Sequence, residues 1–140
     1  MGRMNELLKK VETAIENQPY AKLLGLKAES AQEGKAVISC EKRAELLQQM
    51  GTLHGGVIGG MCEATAAYAA ATVLPDGADM VGVEYKVNML RPVTADKLIA
   101  VGRVLKLGRQ LVTVDVEAYN AGSDKLAAKM LFTGMIVEKK

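Results

Sequence analysis

The sequence predicts an α+β fold in which an antiparallel sheet wraps around one long central helix, and three observations predict it. Between Glu45 and Asp76 the only acidic or basic side chain is Glu63, so a helix there is apolar nearly all round and belongs in an interior. After that segment the hydrophobic period changes from 3.6 to 2. Val81, Val83, Tyr85 and Val87 alternate with Gly82, Glu84, Lys86 and Asn88, and Val112, Val114, Val116 and Ala118 alternate with Thr113, Asp115, Glu117 and Tyr119. That is the pattern of strands with one face on a core and one in water. A single apolar helix ahead of a long meander is buried if the meander wraps it.

In chain order, Leu7, Leu8, Val11 and Ile15 form the stripe of a first helix. It ends near Asn17, because Pro19 disfavours helical geometry in the residue before it. Leu24 to Glu29 and Gly34 to Glu41 read as two short strands joined at Gln32-Glu33-Gly34, and Glu45 to Leu53 as a less regular approach segment. The central helix is expected from about Gly55 to Val73, stopped by the turn cluster Leu74-Pro75-Asp76-Gly77. Turn signals at Pro92 to Asp96, Gly108-Arg109 and Asn120-Ala121-Gly122 divide the remainder into four strands, the last over Lys125 to Glu138. Without a linker or repeat, residues 1–140 read as one domain, with residues 1–18 packed on it as the N-terminal helix.

Composition narrows the function. The 140 residues suffice for a real core, and with one Phe and no Trp that core must be aliphatic. Eighteen basic against sixteen acidic residues leave a net charge of +2, too even for a nucleic-acid surface. Cys40 and Cys62 have no metal-binding or disulfide spacing, and His54 is the only histidine. The reading is therefore no metal, no cofactor and a reducing cytoplasm. Lys9, Lys10 and Glu12 interrupt any signal-like apolar run. The uncharged stretch around Glu63 is long enough to raise a membrane span, but its glycines, alanines and threonines favour a buried helix.

Two residue groups carry possible chemistry. Glu63 is a lone carboxylate in an apolar helix, and such a group needs partners or becomes neutral. Structural carboxylates at helix edges are common, yet desolvated ones concentrate at active sites. His54, Gly55 and Gly56 open the same helix. Glycines there leave N–H groups uncovered at the positive end of the dipole, fit for an oxyanion or polarised carbonyl. A Gly-Gly pair alone reads more simply as tight packing, and a lone His as a structural hydrogen-bonder. His54 and Glu63 lie nine positions apart, about 13 Å along one helix. To act on one atom they must come from different subunits, which predicts a symmetric dimer with two equivalent sites.

The segment Gly51 to Tyr68, GTLHGGVIGGMCEATAAY, resembles the signature of hotdog-fold acyl-CoA thioesterases of the phenylacetic-acid-degradation type. That signature is a His-Gly-Gly at the start of the central helix with an acidic residue nine positions on. Tyr85 to Pro92 resembles the family's strand ending in a leucine-arginine-proline turn, and Gly102 to Gln110 its next hairpin. The resemblance implies a hotdog fold and hydrolysis of an acyl- or aryl-CoA thioester to the free acid and coenzyme A. It implies that Gly55 N–H, with Gly56, polarises the thioester carbonyl. Glu63 of the partner subunit then attacks or activates water, His54 orders the loop, and Gln48 aligns water or substrate. Glu63 and Gln48 stand where many members have Asp and Asn, a pairing similar to the branch acting on hydroxybenzoyl-CoA.

Arg91, Lys106 and Arg109, at strand ends and turns, are candidates for the coenzyme A phosphates, against a reading as solvated surface charge. Cys62 reads as an inert buried thiol. The expected assembly is a homodimer or a dimer of dimers, with no nucleic-acid or membrane partner. Two rivals remain: a hotdog hydratase or dehydratase, and a non-catalytic acyl-CoA-binding module.

Overall fold

Leu7, Val11 and Ile15 recur every four residues and bury one stripe of α1 (Gly2–Glu16), in a computed structural model that describes residues 2–140. Residue 1, the first of the expected helix 1–18, lies outside the described residues. The chain does not pass straight into a strand. Pro19 starts a second short helix, α2 (Pro19–Leu24), because proline in a first turn sacrifices no intrahelical N–H. Gly25, at φ 70°, ends it in the left-handed conformation, and the Arg43 guanidinium donates to the Leu23 and Leu24 carbonyls at 2.7 and 2.9 Å. The first strand, β1 (Leu26–Gln32), consequently begins two residues later than expected.

The remaining strands are β2 (Lys35–Glu41), β3 (Ala78–Met89), β4 (Lys97–Leu107), β5 (Leu111–Asn120) and β6 (Leu126–Glu138), with α3 (Gly55–Ala71) between β2 and β3. All six strands form one antiparallel sheet ordered β1-β2-β4-β5-β6-β3. The expected four-strand meander holds only for β4-β5-β6. β3 crosses the end of the sheet through Pro92 and pairs with β6, which frees β4 to pair with β2.

The sheet's inner face packs on α3. Ile38, Leu98, Val112, Val114, Val116, Met130 and Phe132 are fully buried there, each worth about 1.5–3 kcal/mol relative to exposure. Gly102 lets β4 lie against the helix, since a Cβ there would stand 3.1 Å from the Thr65 carbonyl oxygen. On the same side α1 covers β1, and Lys10 donates to the Ala71 carbonyl at the end of α3 at 2.8 Å.

The expected single apolar face of β3 is corrected. Register slips between Gly82 and Glu84, a bulge at Val83. One extra residue turns the following side chains over. Gly82, Tyr85 and Val87 therefore share the face of Phe132 and Met130, while Val81 pairs with Met135 outside. Val81, Val83 and Tyr85 are all about half exposed. Among the described residues, no helix is long and apolar enough to cross a membrane.

Candidate active site

The entrance to α3 is built by backbone bonds that leave little slack. Gln48 N–H donates to Thr52 at 2.9 Å, Gly51 N–H to Gln48 at 3.0 Å and His54 N–H to Leu46 at 2.9 Å. Gly51 sits at φ 84°, where a side chain would be strained. His54 is the N-cap, and its Nδ1 accepts from Gly56 N–H at 2.8 Å. This bond requires an unprotonated Nδ1. It also changes the reading of Gly56: its amide is committed to the histidine, which leaves the Gly55 N–H as the open donor. The Gly55 amide has no acceptor among the described residues, as expected for the first residue of a helix.

Glu63 lies two and a half turns further along α3. Burial pushes its carboxyl above the ordinary value; no donor among the described residues bonds it, and its oxygens keep contact with solvent. It faces β3. A Cβ on Gly82 would stand 3.3 Å from Glu63 Oε2 and 3.4 Å from the Phe132 ring, so glycine keeps the carboxylate's space. β3 is one of the two outer strands, twelve residues long with one edge unpaired, and the other outer strand, β1, has seven. Within one chain the backbones of Gly55 and Glu63 stay about 12 Å apart along the axis, because α3 is unbroken between them.

Other expected site residues divide into two places. Gln48, Gly55 and Arg91 line one groove of about 590 Å³ together with Met50 and Met89. Gln48 Oε1 accepts from Met50 N–H, and its amide NH₂ remains uncommitted. Lys106 and Arg109 line a different cavity of about 710 Å³ at the β4–β5 turn. Arg91 bonds the Leu126 carbonyl at the start of β6, whereas Leu111, beside the turn, pairs with Met135 near its end. Nine strand residues put about 30 Å between the two ends, so one chain does not unite the three cations.

Sequence reading missed two aromatic neighbours of this face. The Tyr20 hydroxyl, on α2, lies against Gly60, where an added Cβ would clash with it, and the Tyr85 hydroxyl lies 3.7 Å from a Cβ on Gly59. The only signal in the sequence was scarcity, four Tyr and one Phe in 140 residues. Cys62 is fully buried, and burial pushes its thiol up to about 12, which removes it as a nucleophile.

An antiparallel sheet curled on one helix, with a glycine amide open at the helix mouth and an isolated carboxylate beyond it, defines a hotdog-type acyl-transfer site. The thioesterase superfamily pattern matches residues 50–127, more than half the chain, and the chain belongs to that superfamily: it is a hotdog-fold thioester hydrolase. The acyl-coenzyme A thioesterase PaaI of Escherichia coli strain K12 is 32% identical over 85% of this chain and 81% of its own. The solved structure of E. coli PaaI, from the phenylacetic acid degradation operon, superposes with TM-score 0.85 at 26% identity, covering 98% of both chains. A thioesterase family protein from Silicibacter pomeroyi gives TM-score 0.88 at 27% identity over 95% of this chain and 99% of that one.

Proposed function

We propose that the chain is an acyl-coenzyme A thioesterase whose two equivalent sites are each assembled from two subunits. One observation carries this reading: the open Gly55 amide and the unpaired Glu63 carboxylate stand on one helix about 12 Å apart along its axis, and the carboxylate faces an edge strand of the sheet. Two β3 edges paired antiparallel extend the sheet, and a bare twelve-residue edge invites such pairing. The two α3 helices then run antiparallel, setting each Gly55 against Glu63 of the partner subunit.

In that arrangement the Gly55 N–H, reinforced by the helix dipole, stabilises charge developing on the thioester oxygen. Glu63 of the partner subunit attacks the carbonyl carbon or takes a proton from the attacking water. The C–S bond breaks, the coenzyme leaves as a thiol, and water supplies the oxygen of the released acid. His54 holds the loop through Gly56, and Gln48 directs its free amide into the groove. Antiparallel edge pairing also reverses strand direction. It brings the partner's Lys106 and the partner's Arg109 to the end of the sheet that carries Arg91, a set of cations suited to the coenzyme phosphates.

The test is thiol release from acyl-CoAs by chains mixed from two inactive variants, Gly55→Pro and Glu63→Ala. Recovered activity in confirmed heterodimers, at about half of one wild-type site pair per dimer, supports the shared site. Absence of recovery sinks it, and activity unchanged in Glu63→Ala alone sinks the mechanism.

A further inference from the structure

Residue 59 lies midway between Gly55 and Glu63. A register that sets Gly55 against Glu63 of the partner subunit therefore crosses the two α3 helices at residue 59, on the dimer axis. This step rests on the shared-site reading above. Gly59 and the adjacent Gly60 are the positions on which Tyr85 and Tyr20 rest their hydroxyls. The two rings come from different elements, Tyr20 from α2 and Tyr85 from β3. Both are about half exposed in the single chain, at 51% and 48%. Two phenols of the chain are already committed, Tyr68 to Gln18 at 2.6 Å and Tyr119 to Glu117 at 3.2 Å. Those of Tyr20 and Tyr85 have no hydrogen-bond partner among the described residues.

We propose that Tyr20 and Tyr85 form a wall between the two acyl sites and thereby determine the acyl groups the enzyme accepts. Four residues separate Gly55 from Gly59, so an acyl group running along α3 from the helix mouth meets the wall after about 6 Å. That length holds an aromatic ring or a short chain and stops an extended fatty chain. The glycines are what place the wall so close. A Cβ at Gly60 would overlap the Tyr20 hydroxyl and push the ring off the helix, lengthening the path. The selected substrate class is a compact acyl group on coenzyme A, either short aliphatic or single-ring aryl.

The experiment measures kcat/KM over acyl-CoAs from butanoyl to hexadecanoyl, with benzoyl- and phenylacetyl-CoA, for wild type, Tyr20→Ala, Tyr85→Ala and Tyr20→Phe. Wild type is expected to favour the compact acyl groups. Either alanine variant raises the long-to-short ratio by about tenfold or more, the scale on which a pocket reads one or two methylenes. Tyr20→Phe keeps the wild-type profile, because the ring is the barrier. Tyr20 is half exposed on a six-residue helix, and a melting curve for each variant confirms folding before its profile is compared. Equal wild-type rates on hexadecanoyl- and butanoyl-CoA, or an unchanged profile in both folded alanine variants, overturns the proposal. If Glu63→Gln still abolishes turnover in that case, the shared site stands and only the wall falls. If Glu63→Gln leaves turnover intact, both fall together.

Discussion

The two long flanks of α3 are built to different standards of completeness. Towards β2, β4 and β5 the helix meets fully buried aliphatic side chains and a close backbone approach at Gly102. Towards β3 it meets a half-exposed strand with a bulge, an unpaired edge and a carboxylate without a donor. The first flank is finished within one chain and accounts for folding. The second is unfinished in one chain, and the residues that carry chemistry lie on it. Stability and activity should accordingly separate by flank.

The largest expected effect is at Glu63. Glu63→Gln keeps shape and removes the base or nucleophile, so kcat/KM on any accepted acyl-CoA should fall about a thousandfold, close to 4 kcal/mol of transition-state stabilisation. Steady-state thiol release measures it. A fall under tenfold would place the chemistry elsewhere and dissolve the contrast. Next is Gly55→Pro, which deletes the open donor with the least disturbance. Proline is at home in the first helical position, and His54 already has the extended conformation a residue before proline needs, φ −62° and ψ 138°. The nearest atoms to a new Cβ belong to the flexible Met89 side chain. Turnover should drop by about a hundredfold or more, the effect of losing one oxyanion donor, with the melting temperature almost unmoved.

On the finished flank the outcome inverts. Ile38, on β2, is fully buried in the core, and Ile38→Ala should destabilise the chain by about 3 kcal/mol through lost contacts and a cavity. Chemical denaturation reads that loss, while kcat per folded molecule stays near wild type. An Ile38→Ala variant that lost turnover without losing stability would show that the two flanks are coupled.

The same division governs what could be read in advance. The elements of the finished flank announce themselves by period, so α3 and the inner faces of β4 to β6 were legible. The strand order was not, because antiparallel strands of similar pattern do not say which neighbour they take. The six residues of α2 are too few to show a helical stripe, and Pro19 marks a stop as readily as a start. The bulge at Val83 interrupts an alternation that looks smooth on paper. At the site, Glu63 and Gly55 stood out by composition and by position at a helix mouth. That His54 would occupy the Gly56 amide depends on a ring rotamer. The approach of Tyr20 and Tyr85 to adjacent glycines spans forty and twenty-six positions of sequence, which no local pattern encodes.

The smallest expected effect is also the one that separates binding strain from catalysis at Glu63. Burial raises its carboxyl above the ordinary value, so the ionised form is the one the folded chain disfavours. The sign follows from linkage: a raised folded-state value makes the neutral carboxyl stabilising, fully so below the unfolded value, and that stabilisation is lost as pH rises through the folded one. Glu63→Gln is neutral at every pH and resembles the protonated residue. It should therefore melt slightly higher than wild type at neutral pH, with the gain shrinking as pH falls and vanishing below the ordinary carboxylate range. Activity should decline on the acid side over the same raised value, since catalysis needs the ionised form. Thermal melts and kcat/KM profiles on the same pH series check both halves. A variant less stable than wild type at neutral pH would mean that the partner subunit supplies Glu63 with a donor, and the carboxylate would then be completed by the dimer.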